Sequence, residues 1–159
     1  MKEIRKADRI RATVRVPGSK SHTQRVLIAA ALARGESYLR NPLVSEDTEL
    51  LMEALRALGA DILTTSGDFI VRGVGGKWKA PDKPLFLGNN GTALRFLTAV
   101  TSLAEGAVVL DGTERLRQRP VGPLLEMLRS QGISCRCLRE EGFPPVEITG
   151  RRLAGGPVS

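Results

Sequence analysis

Three stretches of this sequence carry side chains suited to holding anions. The first, Pro17-Gly18-Ser19-Lys20-Ser21-His22-Thr23-Gln24-Arg25, closes a strand-like segment and opens a helix-like one. A helix start offers unpaired backbone N–H groups and the positive end of the helix dipole, which attract phosphate and carboxylate. Lys20 adds a compact charge and Ser21 a hydroxyl, and Arg25, one turn on from Ser21, points back over the same end. The set could hold a phosphate and a carboxylate together. The alternative is an ordinary helix start capped by Ser21, with Lys20 and Arg25 in solvent, and the spacing is not a Walker A loop.

The second stretch, Gly88-Asn89-Asn90-Gly91-Thr92, again precedes a helix-like run, and its glycines let a ligand approach the backbone. Arg95 follows Gly91 by one turn, as Arg25 follows Ser21. The third, Arg115-Leu116-Arg117-Gln118-Arg119-Pro120, places arginines on alternate residues, which in an extended segment would share one side, with Pro120 at the first position of a helix. Such a run is otherwise a solvated surface. His22 has no Ser-His-Asp order or metal-ligand spacing around it and reads as a polar surface residue. Cys135 and Cys137 sit two apart in a strand and would share a face without forming a normal bridge; no metal set accompanies them. Trp78 could serve as a stacking platform for nucleic acid, but no aromatics interleave with the basic clusters, so it reads as a hydrophobic anchor.

The elements that must position these groups alternate. Ala12–Val16 reads as a strand, Ser21–Arg34 as a helix stopped by Gly35, and Ser37–Arg40 as a short strand. Asp47 is placed to cap a helix that Gly59 closes, and Ile62–Thr65 with Asp68–Arg72 forms a hairpin through Ser66-Gly67. The order then recurs: strand Leu85–Leu87, helix Thr92–Ala104, strand Ala107–Leu110, helix Val121–Ser130, and a hairpin of Ser134–Leu138 with Val146–Thr149. Leu32-Ala33-Arg34-Gly35 returns as Leu103-Ala104-Glu105-Gly106, and the helix ending at Gly59 returns as the one ending at Gly132. Two copies of a strand-helix-strand-helix-strand-strand unit follow, giving an α/β (α+β) layered fold. The closing Gly155-Gly156-Pro157-Val158-Ser159 reads as if another strand were to begin.

At 159 residues, 42% hydrophobic and 26% charged, the chain is ordinary for a globular domain and unlike a disordered one. No run approaches the roughly 20 apolar residues of a membrane span, and the first twelve residues lack the apolar core of a secretory signal, so a cytoplasmic home is expected. The net charge of +7 calls for an anionic partner: nucleic acid, an acidic protein, or a phosphorylated metabolite. Of the 24 basic residues, 18 are Arg, whose planar fork matches carboxylate and phosphate.

The stretches Pro17-Gly18-Ser19-Lys20-Ser21 with Arg25, Leu87-Gly88-Asn89-Asn90-Gly91-Thr92-Ala93 with Arg95, and R-x-R-x-R-P over Arg115–Pro120 stand in one order. Together they closely resemble the 5-enolpyruvylshikimate-3-phosphate synthase (3-phosphoshikimate 1-carboxyvinyltransferase) family. The resemblance runs over nearly the whole chain and includes Phe143-Pro144-Pro145. It implies a shikimate-pathway transferase that moves the enolpyruvyl group of phosphoenolpyruvate to the 5-hydroxyl of shikimate 3-phosphate and releases phosphate, without a cofactor, on the way to chorismate and the aromatic amino acids. By position, the resemblance gives Lys20 contact with both substrates, Ser21 and Arg25 contact with shikimate 3-phosphate, and Gly91 and Arg119 contact with phosphoenolpyruvate. Asn89 and Thr92 would line the same loop. Clustered Lys and Arg would offset the charge of a tetrahedral adduct and hold two anions within reach of each other.

The resemblance also implies residues 1–12 as a strand of a second domain and 13–159 as an incomplete substrate-binding domain, with repeats over about 13–74 and 84–150. The family's acid and base residues lie beyond Ser159, so the 159 residues alone are expected not to turn over. The rest of such an enzyme, continuous or as a second chain, would be the partner, with no nucleic acid and no membrane. Gln24, Asn90 and Phe96 stand where many members have Asn, Ala or Ser, and Pro. Gly91, lacking a side chain, would leave room for glyphosate, the family's inhibitor. A UDP-sugar enolpyruvyl transferase relative and a basic nucleic-acid-binding module remain as alternatives.

Overall fold

The computed structural model of the chain describes residues 9–14 and 16–150. The first unit runs α1 (Lys20–Leu32), β1 (Arg34–Leu39), α2 (Glu46–Ala57), β2 (Asp61–Thr65) and β3 (Asp68–Val74). The second runs β4 (Leu85–Phe86), α3 (Gly91–Val100) with a 3₁₀ turn over Thr101–Leu103, β5 (Ala107–Asp111), a one-turn helix α4 (Glu114–Arg117), α5 (Gly122–Ser130), β6 (Ser134–Cys137) and β7 (Val146–Thr149).

Each unit folds its strands into one sheet. The first has the order β1-β3-β2, all antiparallel, and the second β4-β5-β7-β6, antiparallel except for the parallel β4·β5 pair. Strands β1, β3 and β2 thus repeat as β5, β7 and β6, and the expected α+β repeat is present. Alternation fixes the inner faces: Phe69 and Val71 of β3, Val108 and Leu110 of β5, and Val146 and Ile148 of β7 are buried. They join the apolar stripes of α1, α2, α3 and α5 in one continuous core. The hairpin through Ser66-Gly67, with both φ values positive at 32° and 95°, is the tight turn that matches strand twist.

The repeat extends to close packing. A Cβ on Gly73 would lie 2.2 Å from the Ala33 carbonyl oxygen, and one on Gly150 would lie 1.9 Å from that of Ala104. Ala33 and Ala104 are the matching residues of the sequence repeat, so in both units a bare backbone crosses the same place. Trp78 is buried in the core, and its carbonyl accepts from Glu105 N–H at 3.2 Å, so it anchors the link between units as expected.

Several expectations need correction. Ala12, Thr13, Val14 and Val16 are exposed and in no strand, Arg15 lying outside the described residues; β1 carries no counterpart of β4 among the described residues. Helix α1 stops at Leu32, and Gly35, with φ 84°, is the second residue of β1 rather than a helix terminator. Ser19, not Ser21, caps α1, and Ser45, not Asp47, caps α2, its N–H donating to the Thr48 hydroxyl at 2.9 Å. The helix expected over Thr92–Ala104 tightens to 3₁₀ at Thr101. Pro120 lies outside α5; the proline of that helix's first turn is Pro123. Segments 1–8 and 151–159, with the strands expected there, lie outside the described residues.

Candidate anion-binding site

The starts of α1 and α3 lie at one end of the molecule, joined through Asp47 in the first turn of α2. The Asp47 carboxylate accepts from Lys20 Nζ at 2.7 Å, and its backbone carbonyl accepts from Asn90 Nδ2 at 2.9 Å. Asn90 also caps α3, its Oδ1 accepting from Ala93 N–H at 2.9 Å, and it is almost fully buried. One residue of α2 therefore ties both helix starts together. The Asn90 cap is local, but neither bond to Asp47 was readable from local sequence, because each spans more than twenty-five residues.

At α1, Arg25 donates from Nη1 to the Ser21 carbonyl at 2.9 Å, and its guanidinium carbon lies 5.4 Å from the centre of the Phe96 ring on α3. That distance allows a cation–π contact. Phe96 thus carries Arg25 toward the second unit. At α3, Arg95 ties its own helix start to the Arg119 loop by donating to the carbonyls of Gly91 at 3.3 Å and Pro120 at 3.0 Å. A Cβ on Gly91 would lie 2.6 Å from Arg119 Nη1, so the absence of a side chain lets that guanidinium rest on the helix start.

The result is a hollow of about 570 Å³ whose wall includes Arg25, Gly91, Thr92, Arg95, Phe96 and Arg119. Among the described residues, Arg25, Arg95 and Arg119 have no carboxylate within ion-pair distance, whereas Arg72, Arg117, Arg129 and Arg136 each have at least one. Cations gathered without counter-charge beside a helix start form a site for an anion.

Of the residues singled out in sequence, Arg25, Gly91, Thr92 and Arg119 converge on this hollow. Lys20, Ser21 and Asn89 are not on its wall: Lys20 is engaged by Asp47, Ser21 is exposed, and the Asn89 Oδ1 is buried without a partner. His22 lines a separate hollow of about 310 Å³ between α1 and the end of β1. The arginine cluster departs most from expectation. Because Glu114–Arg117 coils into a helical turn, the three side chains diverge: Arg115 is exposed, Arg117 turns to Asp111, and only Arg119 reaches Gly91.

The profile of the EPSP synthase (3-phosphoshikimate 1-carboxyvinyltransferase) family matches residues 4–159. The chain belongs to this family. It is 45% identical over 157 residues to the 3-phosphoshikimate 1-carboxyvinyltransferase of Methanothermobacter thermautotrophicus, covering 98% of this chain and 37% of that protein. With the enzyme of the same name from Rhizobium leguminosarum bv. trifolii it shares 49% over 135 residues, 84% of this chain and 31% of that one. Among solved structures, EPSP synthase from Acinetobacter baumannii superposes with a TM-score of 0.84 at 34% identity, over 90% of this chain and 33% of that one. The enolpyruvyl transferase NikO from Streptomyces tendae, 23% identical, shares the fold with a TM-score of 0.55 over 91% of this chain and 31% of that one. The chain thus spans about a third of the length of the family members it matches.

Proposed function

We propose that this chain supplies the part of an enolpyruvyl transferase that receives shikimate 3-phosphate and phosphoenolpyruvate. The observation that carries the reading is the set of three arginines without counter-charge around the start of α3, in a chain whose family membership is shown. Arg119, resting on the bare backbone of Gly91, is suited to the phosphate or carboxylate of phosphoenolpyruvate. Arg25 and Ser21, one helix away, are suited to shikimate 3-phosphate, and Lys20, beside Ser21, would reach both anions once one of them displaces Asp47. Asn89 and Thr92 line the same loop. Both anions would lie against helix starts, where fixed N–H groups and cations stabilise developing negative charge without reorganising. The same reading includes glyphosate binding beside Gly91, a cytoplasmic location, a second domain begun by residues 1–12, and a substrate-binding domain begun at residue 13.

A chain covering 37% of a relative lacks much of what that relative has, so the 159 residues alone are expected to bind without turning over. The reading is tested by amide NMR of the 159-residue chain. Phosphoenolpyruvate should shift Gly91 and Arg119, shikimate 3-phosphate should shift Ser21 and Arg25, and a UDP-sugar or arbitrary DNA should displace neither. Displacement by either competitor, or phosphate release by the chain with both substrates present, would contradict it.

A further inference from the structure

The middle arginine of the Arg115-Arg117-Arg119 cluster has no place in the hollow, yet it is the best-paired arginine among the described residues. Arg117 donates from Nε to one Asp111 oxygen at 2.9 Å and from Nη2 to the other at 2.8 Å, and it also pairs with Glu114. This two-point geometry fixes direction as well as distance. Both side chains are largely covered, at 22% and 20% exposure. Burial works against the Asp111 charge, but Arg117 and the Gly112 N–H at 2.7 Å outweigh it and hold the carboxyl below its ordinary range.

Asp111 ends β5 and holds two loops at once. Its carbonyl accepts from Leu87 N–H at 2.8 Å, where the glycine loop begins, while its carboxylate holds Arg117 in the loop that delivers Arg119. Beside it, Thr113 N–H donates to the Gly88 carbonyl at 2.8 Å, and a Cβ on Gly112 would lie 2.3 Å from that same oxygen. The four residues of α4 are too few to hold a helical turn alone. They are pinned by burial of Leu116 and by Asp111, and the turn continues through Arg119 N–H to the Leu116 carbonyl at 2.9 Å.

We propose that Asp111 and Arg117 are a positioning pair, which sets the Arg119 loop against the glycine loop so that the Arg119 guanidinium meets Gly91. What Arg119 then binds rests on the proposed function; the positioning itself does not. Arg117 is not on the wall of the hollow. It acts through Arg119, two residues on, whose far side is held by the Arg95 bond to Pro120.

The test follows the Arg119 Nε–H signal by NMR in the 159-residue chain, with Asp111→Asn, Arg117→Met and Arg117→Lys. In the parent the signal is expected at a shift distinct from that of a free arginine, because the guanidinium rests on Gly91. In Asp111→Asn and Arg117→Met it should collapse toward that of a free arginine while α3 amides keep their protection, and Arg117→Lys should restore part of it. Phosphoenolpyruvate binding, read at the Gly91 amide, should weaken about tenfold in the first two variants, as displacement of an aligned group by a fraction of an ångström does. Shikimate 3-phosphate binding should stay unchanged, and combining the two substitutions should add no further loss. An unchanged Arg119 signal in folded variants overturns the proposal, as does equal weakening of both ligands. If the parent does not respond to phosphoenolpyruvate, the proposed function fails, and the Arg119 signal still decides the positioning.

Discussion

The two helix starts occupy equivalent places in the repeat and differ in construction. The start of α1 is open: Ser19 caps it through a long 3.4 Å bond from His22 N–H, and Lys20, Ser21 and Arg25 are exposed. The start of α3 is closed: Asn90, 2% exposed, makes a bond to each side, Gly91 is buried, and Arg95 and Arg119 lie across it. The first therefore presents exposed charge on long side chains, the second a wall of backbone and guanidinium. Two different anions, one reached by long side chains and one seated on backbone, suit that asymmetry better than two copies of one ligand.

Substitutions can break the comparison in order of size. Gly73→Ala and Gly150→Ala both force a Cβ into a carbonyl, so each should cost about 1–3 kcal/mol, read as matching losses in chemical denaturation. A loss in one alone would show that the units are packed differently. Asn90→Ala should cost about 2 kcal/mol by removing a cap and the tie to α2, whereas Ser19→Ala should cost about 0.5 kcal/mol. Equal costs would remove the distinction between closed and open starts. Asp47→Asn should change stability by less than about 1 kcal/mol, since its pair with Lys20 is partly exposed, yet tighten phosphate binding at α1 by freeing Lys20.

The smallest effect is in pH. The Asp111 carboxyl is held below its ordinary 3.8, so its contribution is whole above that value and is lost as pH falls through the lowered one. Acid titration should therefore loosen the Arg119 loop, seen by exchange of its amide, and Asp111→Asn should abolish that transition.

What could be read from the sequence depended on range. Helices α2, α3 and α5 and both hairpins follow from apolar spacing and from glycines at 59, 67 and 132, all with positive φ. Arg25, Gly91 and Thr92 could be singled out because a helix start is a local feature, whereas Arg119 was set apart from Arg115 and Arg117 only by the family resemblance. The pairing of Arg117 was not legible: reading the cluster as extended put three arginines on one side, whereas burial of Leu116 and the pull of Asp111 coil the chain and send them apart. The bridge through Asp47 escaped for the same reason, since a first-turn acid looks like a cap until its distant partner Lys20 is known. Ala12–Val16 has the alternation of a strand but no neighbour to pair with among the described residues.

The central claim is that the uncompensated arginines receive two phosphorylated anions at different helix starts. Calorimetric titration of the 159-residue chain with shikimate 3-phosphate, for the parent and for Arg25→Ala, tests it most directly. The account predicts saturable binding to the parent at one molecule per chain and loss of that binding in Arg25→Ala, with melting unchanged. Equal binding by both proteins, or none by the folded parent, would contradict it.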